Sequence, residues 1–271
     1  MSLNKELPVW HITGCSGGFG YAIAKTALGH GPASSHQSGG HWIELDVMAP
    51  DIREKIEHAS ELFGRIDIVV NNAGYMMIGV FEGLAEYAAR AQFEVNFFGP
   101  FKVMQAVIPG MRNRRSGLII NMSSGAGVRA QATVSMYSSS KFALEAMSES
   151  ISYELAHFNV KILIVEPGPF RTTILGNTAA SWTELGPGYK GTPVEETMRK
   201  MRKGDGQQVG DVWKGAERIF EVITTSGMGE GKKSLLRLPL GEAPVQALRE
   251  KARHFQEVAN EFEELALSTA I

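Results

Sequence analysis

The sequence predicts an α/β fold, a doubly wound parallel sheet with helices on both faces, and three observations carry that prediction. Short apolar runs alternate with helix-patterned segments along the chain, the arrangement that yields parallel strands joined by crossover helices. Two runs, 66–74 and 117–124, are nearly continuous in isoleucine, leucine and valine, as in strands covered on both faces. Polar or glycine-bearing turns ("TGCSGG", "LDV", "NNAG", "NMSS", "EPGPF") end five of the runs, and such sheets bind ligands at the carboxyl ends of their strands.

Each element follows from its own residues. "PVWHITG" (8–14) is a β-rich run stopped by glycine, and "GFGYAIAKTAL" (18–28) has helical spacing. "GHGPASSHQSGG" (29–40) then holds no aliphatic residue larger than alanine and predicts no element. "HWIELDV" (41–47) alternates as a second strand, and "DIREKIEHASELFG" predicts a helix from Asp51 ending on Gly64. After strand 66–74, a helical region spans 84–114, with a kink or break expected at Pro100. Strand 117–124, helix 135–158 and strand 160–168 follow. A region rich in glycine and proline opens the segment 168–203, and helix 211–225, strand 233–241 and a C-terminal helix over 243–267 complete the chain. No repeat or composition break divides residues 1–271, so one domain is expected.

Composition narrows the function classes. A hydrophobic content of 44 % supports a sizeable core, and a net charge of −2 with no basic face argues against nucleic acid. "RNRRSG" (112–117) reads as a helix end favoured by the dipole. The lone Cys15 forms no internal disulfide, which fits a reducing, cytoplasmic setting. No signal-like, prenylation or membrane-spanning stretch is present, and the seven histidines lack ligand spacing, so no metal is expected.

Two motifs carry chemistry. "TGCSGGFG" (13–20) places Gly14, Gly18 and Gly20 between a strand and a helix, where glycine lets backbone approach a pyrophosphate and the helix N-terminus offers free N–H groups. Read alone, it also suits an ordinary glycine-rich turn. "YSSSK" sets Tyr137 and Lys141 four residues apart, on one helix face, where the ammonium favours the phenolate and so lowers the phenol pKa. Read alone, it also suits an exposed helical pair. Ser124 ends the preceding strand on the ligand rim, and Asn96 lies among apolar neighbours, where an amide needs a partner.

Together, "TGCSGGFG", "NNAG", Asn96, Ser124, "YSSSK" and "EPGPFRT" resemble the short-chain dehydrogenase/reductase family, a Rossmann-type fold, from residue 8 to about 172. "LLRLPLG" and the charged final helix resemble its 17β-hydroxysteroid dehydrogenase-like branch. The resemblance implies Tyr137 as general acid or base, Lys141 tuning it and holding the nicotinamide ribose, Ser124 on the substrate oxygen, and Asn96 positioning a relay water. It also implies a cofactor site of Gly14, Ser16, Gly18, Phe19 and Gly20 at the pyrophosphate, and Asp46, Val47, Asn72, Ala73 and Gly74 at the adenosine side. Pro167, Gly168, Phe170 and Thr172 would seat the nicotinamide. NADP is the implied cofactor, with NAD left open, and helices 84–114 and 135–158 would pair in a homo-oligomer. Phe170, Ile174, Leu175, Trp182, Leu185 and Tyr189 make the substrate segment moderately apolar, which suits a lipophilic ketone or secondary alcohol. Arg129, Tyr75, Met76 and Met77 are further loop candidates.

One departure stands out. Between Gly20 and Asp46 the chain is roughly 20 residues shorter than the family pattern, about one strand and one helix. Either "HWIELDV" takes the vacant place beside the first strand, or the sheet is a strand short and the cofactor half is weakened. The second alternative admits a non-catalytic binding or scaffold protein.

Overall fold

The computed structural model describes residues 7–30, 40–177, 183, 185–233 and 236–270. Five parallel strands form one sheet in the order β1-β2-β3-β4-β5: β1 Trp10–Ile12, β2 Ile68–Asn71, β3 Gly117–Met122, β4 Val160–Pro167 and β5 Arg237–Leu240. Alternate residues leave on opposite faces. Val69, Ile119 and Ile162 point into one apolar cluster with helices α2 (Ile52–Phe63), α4 (Gly99–Arg114) and α6 (Ser135–Leu155). Val70, Ile120, Leu163 and Val165 point into another, with α1 (Gly18–Gly29) and α7 (Val212–Thr224). This is the two-faced α/β architecture expected from the strand–helix alternation.

The expected strand at 41–47 does not form: residues 40–46 take no regular structure. Leu45 and Val47 share one side, and they reach the α2–α4 cluster instead of pairing backbone to backbone. Gly99 makes room for that packing, since a Cβ there would lie 2.9 Å from Val47 Cβ. Trp42 stays mostly exposed. Among the described residues β1 pairs only with β2, so the sheet ends at the strand that carries the glycine turn. Residues 31–39 of the polar stretch, and Trp182, lie outside the described residues.

The helical region 84–114 is interrupted where proline directs. It runs as α3 (Glu86–Phe93), one turn of π-helix (Glu94–Phe98) and α4. Pro100 lies in the first turn of α4 and has no N–H to return to the preceding turn, so the helix widens just before it. Beneath the site, a buried polar chain aligns α6 on the sheet. Asn71 Nδ2 donates to Asn121 Oδ1 at 2.7 Å, Asn121 Nδ2 to Ser148 Oγ at 2.7 Å, and Ser148 Oγ to Leu144 O at 2.6 Å.

Candidate active site

The glycine turn after β1 is stitched to the end of β2. Thr13 Oγ1 accepts from Asn72 N and Ala73 N at 3.0 Å, and Asn72 Nδ2 donates to Thr13 O and Gly14 O at 3.0 Å. Glycine is required twice. Gly14 has φ +64° and a Cβ there would lie 2.8 Å from Ala73 Cα; a Cβ on Gly20 would lie 2.5 Å from both Asn72 Nδ2 and Gly14 O. The first turn of α1 has no side-chain cap and no acidic residue, so its N–H groups and positive dipole end are available to a phosphate. A dinucleotide pyrophosphate fits these donors. Thr13 was not singled out in the sequence, although its place one residue before Gly14 is the available signal.

Ser124 follows β3 as the N-cap of the short helix α5 (Gly125–Val128), its Oγ accepting from Ala126 N at 3.1 Å. It also faces the Tyr137 hydroxyl across the gap to α6. Tyr137 and Lys141 are both buried on one face of α6, with Lys141 Nζ 5.9 Å from the Tyr137 ring centre. Lys141 Nζ donates to Met122 O at 2.7 Å, which ties it to the last residue of β3. Burial pushes the Tyr137 phenol above its usual pKa, and the nearby Ser124 hydroxyl partly opposes it. The direction is opposite to the lowering expected from the Tyr–Lys spacing, with desolvation as the largest cause. Burial also brings Lys141 down to about 8, opposed by the Glu145 carboxylate one turn further along.

Asn96 sits fully buried in the π-turn and spends its amide on neighbours. Its Oδ1 accepts from Tyr75 N at 3.2 Å, and its Nδ2 donates to Tyr75 O and Ser140 Oγ at 3.0 and 3.1 Å. It thereby fixes the backbone after "NNAG". Gly74 lies between Asn96 and Lys141: a Cβ there would be 3.1 Å from Asn96 Oδ1 and 3.6 Å from Lys141 Nζ.

A charge cluster supports the site from below. Glu145 accepts from Ser123 Oγ and from Arg237, and Arg237 also donates to Glu166 Oε1 at 2.6 Å. Glu145 and Glu166 are buried, and a Cβ on Gly127 would overlap Glu145 Oε1. Neighbours of the catalytic candidates on β3, α6, β4 and β5 are therefore held through one guanidinium.

A cavity of about 630 Å³ collects Phe19, Asn72, Gly74, Ser124, Tyr137, Lys141, Pro167, Gly168, Phe170 and Thr172. Gly14, Ser16, Gly18, Gly20 and Ala73 lie outside its lining, as do Asp46 and Val47. Asp46 Oδ1 is taken by Met48 N at 2.9 Å, and Val47 is committed to the core. Tyr75, Met76 and Arg129 line the cavity, whereas Met77 is buried outside it. From the substrate segment, Ile174, Leu175 and Met201 contribute apolar wall, while Leu185 packs against the cluster containing Tyr137 and Tyr189 is half-buried away from the lining. Gln208 belongs to the same wall and is 8 % exposed, yet neither amide atom has a hydrogen-bond partner among the described residues. No sequence motif marks it. No helix among the described residues is long and apolar enough to cross a membrane, and they contain no group of three potential metal ligands.

The family model described as short chain dehydrogenase matches residues 33–182, a stretch that holds Asn96, Ser124, Tyr137 and Lys141 but not the glycine turn. Oxidoreductase BOA17 of Botryotinia fuckeliana is 31% identical over 279 aligned positions, covering 97% of this chain and 99% of its own. A short-chain dehydrogenase structure from Streptomyces avermitilis is 35% identical, with a TM-score of 0.86 and 100% of both chains covered. Two more distant structures share the fold. One is a Burkholderia cenocepacia short chain dehydrogenase in complex with NADP, 22% identical, TM-score 0.70, covering 94% of this chain and 96% of that one. The other, from Burkholderia phymatum in complex with NAD, is 21% identical, TM-score 0.72, covering 96% and 95%.

Proposed function

The chain belongs to the short-chain dehydrogenase family, and from that premise we propose that it interconverts a carbonyl and a secondary alcohol on a small lipophilic molecule, using NADP. The observation that carries this reading is one apolar-walled cavity whose lining brings together Ser124, a buried tyrosine and a buried lysine. The α1 N-terminus would hold the pyrophosphate of the dinucleotide, and the nicotinamide would supply or accept the hydride.

The side chains divide the remaining work. In the reducing direction the substrate oxygen takes the place between Ser124 Oγ and the Tyr137 hydroxyl, and Tyr137 gives it a proton as charge develops there. In the oxidising direction the same proton returns. The raised phenol pKa suits the acid role, because the group enters the reaction protonated. Lys141 supplies positive charge beside the phenolate that remains, and Asn96 shapes the floor on which a relay water would rest. Pro167, Gly168, Phe170 and Thr172 line the cavity and would seat the nicotinamide. Met76, Ile174, Leu175 and Met201 offer an apolar bed, and the unpartnered Gln208 amide would meet one polar group on an otherwise apolar ligand. The preference for NADP rests on the resemblance to the 17β-hydroxysteroid dehydrogenase-like branch, and the single domain on an undivided sheet with its covering helices.

Fluorescence titration with NADPH and NADH tests the reading. Binding of NADPH in the micromolar range is expected, at least as tight as NADH. Tighter binding of NADH would reverse the cofactor assignment, and binding of neither at millimolar concentration would favour a scaffold over an enzyme.

A pH profile tests the role of Glu145. Its negative charge favours the ammonium form of Lys141, so Glu145→Gln lowers the Lys141 pKa further below its already depressed value of about 8. Carbonyl reduction needs that ammonium and is lost as pH rises through the Lys141 pKa. The alkaline limb of kcat/KM in the Gln variant is therefore expected about one unit lower than in the parent. Superimposable profiles would separate Glu145 from the chemistry.

A further inference from the structure

Helix α8 (Glu242–Leu267) is attached to the body only by its first turns. Pro244 and Ala247 are buried, Pro244 against Gly125 and Gly168, and Glu250 pairs with Arg129. From Ala252 to Ala270 every residue is exposed. A helix of that length without tertiary packing is marginal in water, and this one carries a large apolar stripe. Phe255, Val258, Phe262 and Leu265 are 58%, 41%, 52% and 66% exposed. Their spacing of three, four and three residues is the seam of a coiled coil.

We propose that this stripe pairs, antiparallel, with the same stripe of a second copy of the chain. Charge selects the partner and the direction. Beyond the acidic first turn at Glu242, the stretch 249–254 is basic (Arg249, Lys251, Arg253), with Glu250 already neutralised by Arg129. The outer half is acidic (Glu257, Glu261, Glu263, Glu264), and three of these carboxylates crowd the last two turns, against the helix dipole. An antiparallel mate lays each acidic half on a basic stretch. A parallel mate would stack like on like, and an anionic membrane would repel the acidic end. Ala252, Ala259 and Ala266 recur every seven residues beside the seam and let two backbones approach closely. In the register that layers Phe255 on the partner's Val258, Phe262 meets the partner's Lys251, Leu265 meets the partner's Leu248, and His254 stands opposite the partner's Glu261. The stripe lies beyond the 84–114 helices, its inner end borders helix 135–158 where Lys251 Nζ stands 5.5 Å from the Phe142 ring centre, and it is independent of the catalytic reading.

Disulfide trapping on a Cys15→Ser background of the full chain tests the pairing. An equimolar mixture of Lys251→Cys and Phe262→Cys chains is expected to form a covalent heterodimer under mild oxidation. Phe262→Cys alone is expected to remain uncrosslinked, because antiparallel pairing holds its two copies roughly 16 Å apart along the axis. The exposed double variant Phe255→Glu/Val258→Glu, checked for unchanged melting, is expected to abolish the mixed cross-link when built into both chains. Absence of the mixed cross-link would overturn the proposal and assign the stripe to another partner, and efficient cross-linking of Phe262→Cys with itself would overturn it in favour of a parallel pair.

Discussion

Replacing Tyr137 by phenylalanine is expected to lower kcat for carbonyl reduction by about 10³-fold, within the range that a positioned general acid contributes. The substitution removes one oxygen and little else. The ring remains packed with Ile78, Ala126, Val134 and Met198, Ser124 Oγ still accepts from Ala126 N, and Lys141 keeps its bond to Met122 O. NADPH affinity and melting temperature should therefore stay near those of the parent. Turnover within a few-fold of the parent would remove Tyr137 from proton transfer. Equal losses of turnover, NADPH binding and thermal stability would show that the phenol acts through packing instead.

Arg237→Met is expected to have the largest effect on stability. It leaves Glu145 and Glu166 buried without their shared cation, a change that costs about 3–5 kcal/mol when a buried ion pair loses one member. For a chain of this size the melting temperature should fall by roughly 10 °C. The sign of the pH dependence follows from Glu166, whose carboxyl burial already pushes above the usual range while Arg237 holds it down. Without the guanidinium that pKa rises further, so the folded variant takes up protons more readily than the unfolded chain. Its deficit should therefore be larger at pH 8 than at pH 5. A melting temperature within two degrees of the parent, measured by calorimetry across that range, would show that the carboxylates are satisfied without Arg237.

The parts of this molecule legible in its sequence are those set by local spacing. Continuous apolar runs marked β2, β3 and β4, Gly64 marked the end of α2 with φ +75°, and the four-residue interval put Tyr137 and Lys141 on one face of α6. What stayed hidden depends on partners far along the chain. The alternation Ile43, Leu45, Val47 reads equally well as a strand or as an extended segment, and only the presence of the α2–α4 cluster decides for the latter. The Tyr–Lys interval showed proximity but not burial, so it gave the wrong direction for the phenol pKa. Glu145 and Arg237 are 92 residues apart, and Gln208 stands in no motif, so neither announced its place beside the cavity.

The place of β1 has a consequence for how ligand binding and folding communicate. Three residues long and hydrogen-bonded to β2 alone among the described residues, it is held less firmly than a strand with two neighbours. Its far end carries the glycine turn, whose sutures to Thr13 and Asn72 are all on the β2 side. Fraying of this strand and loss of the phosphate cradle are then one event. A dinucleotide held there would clamp the sheet margin as well as occupy a site, making its grip a measure of how often that margin opens.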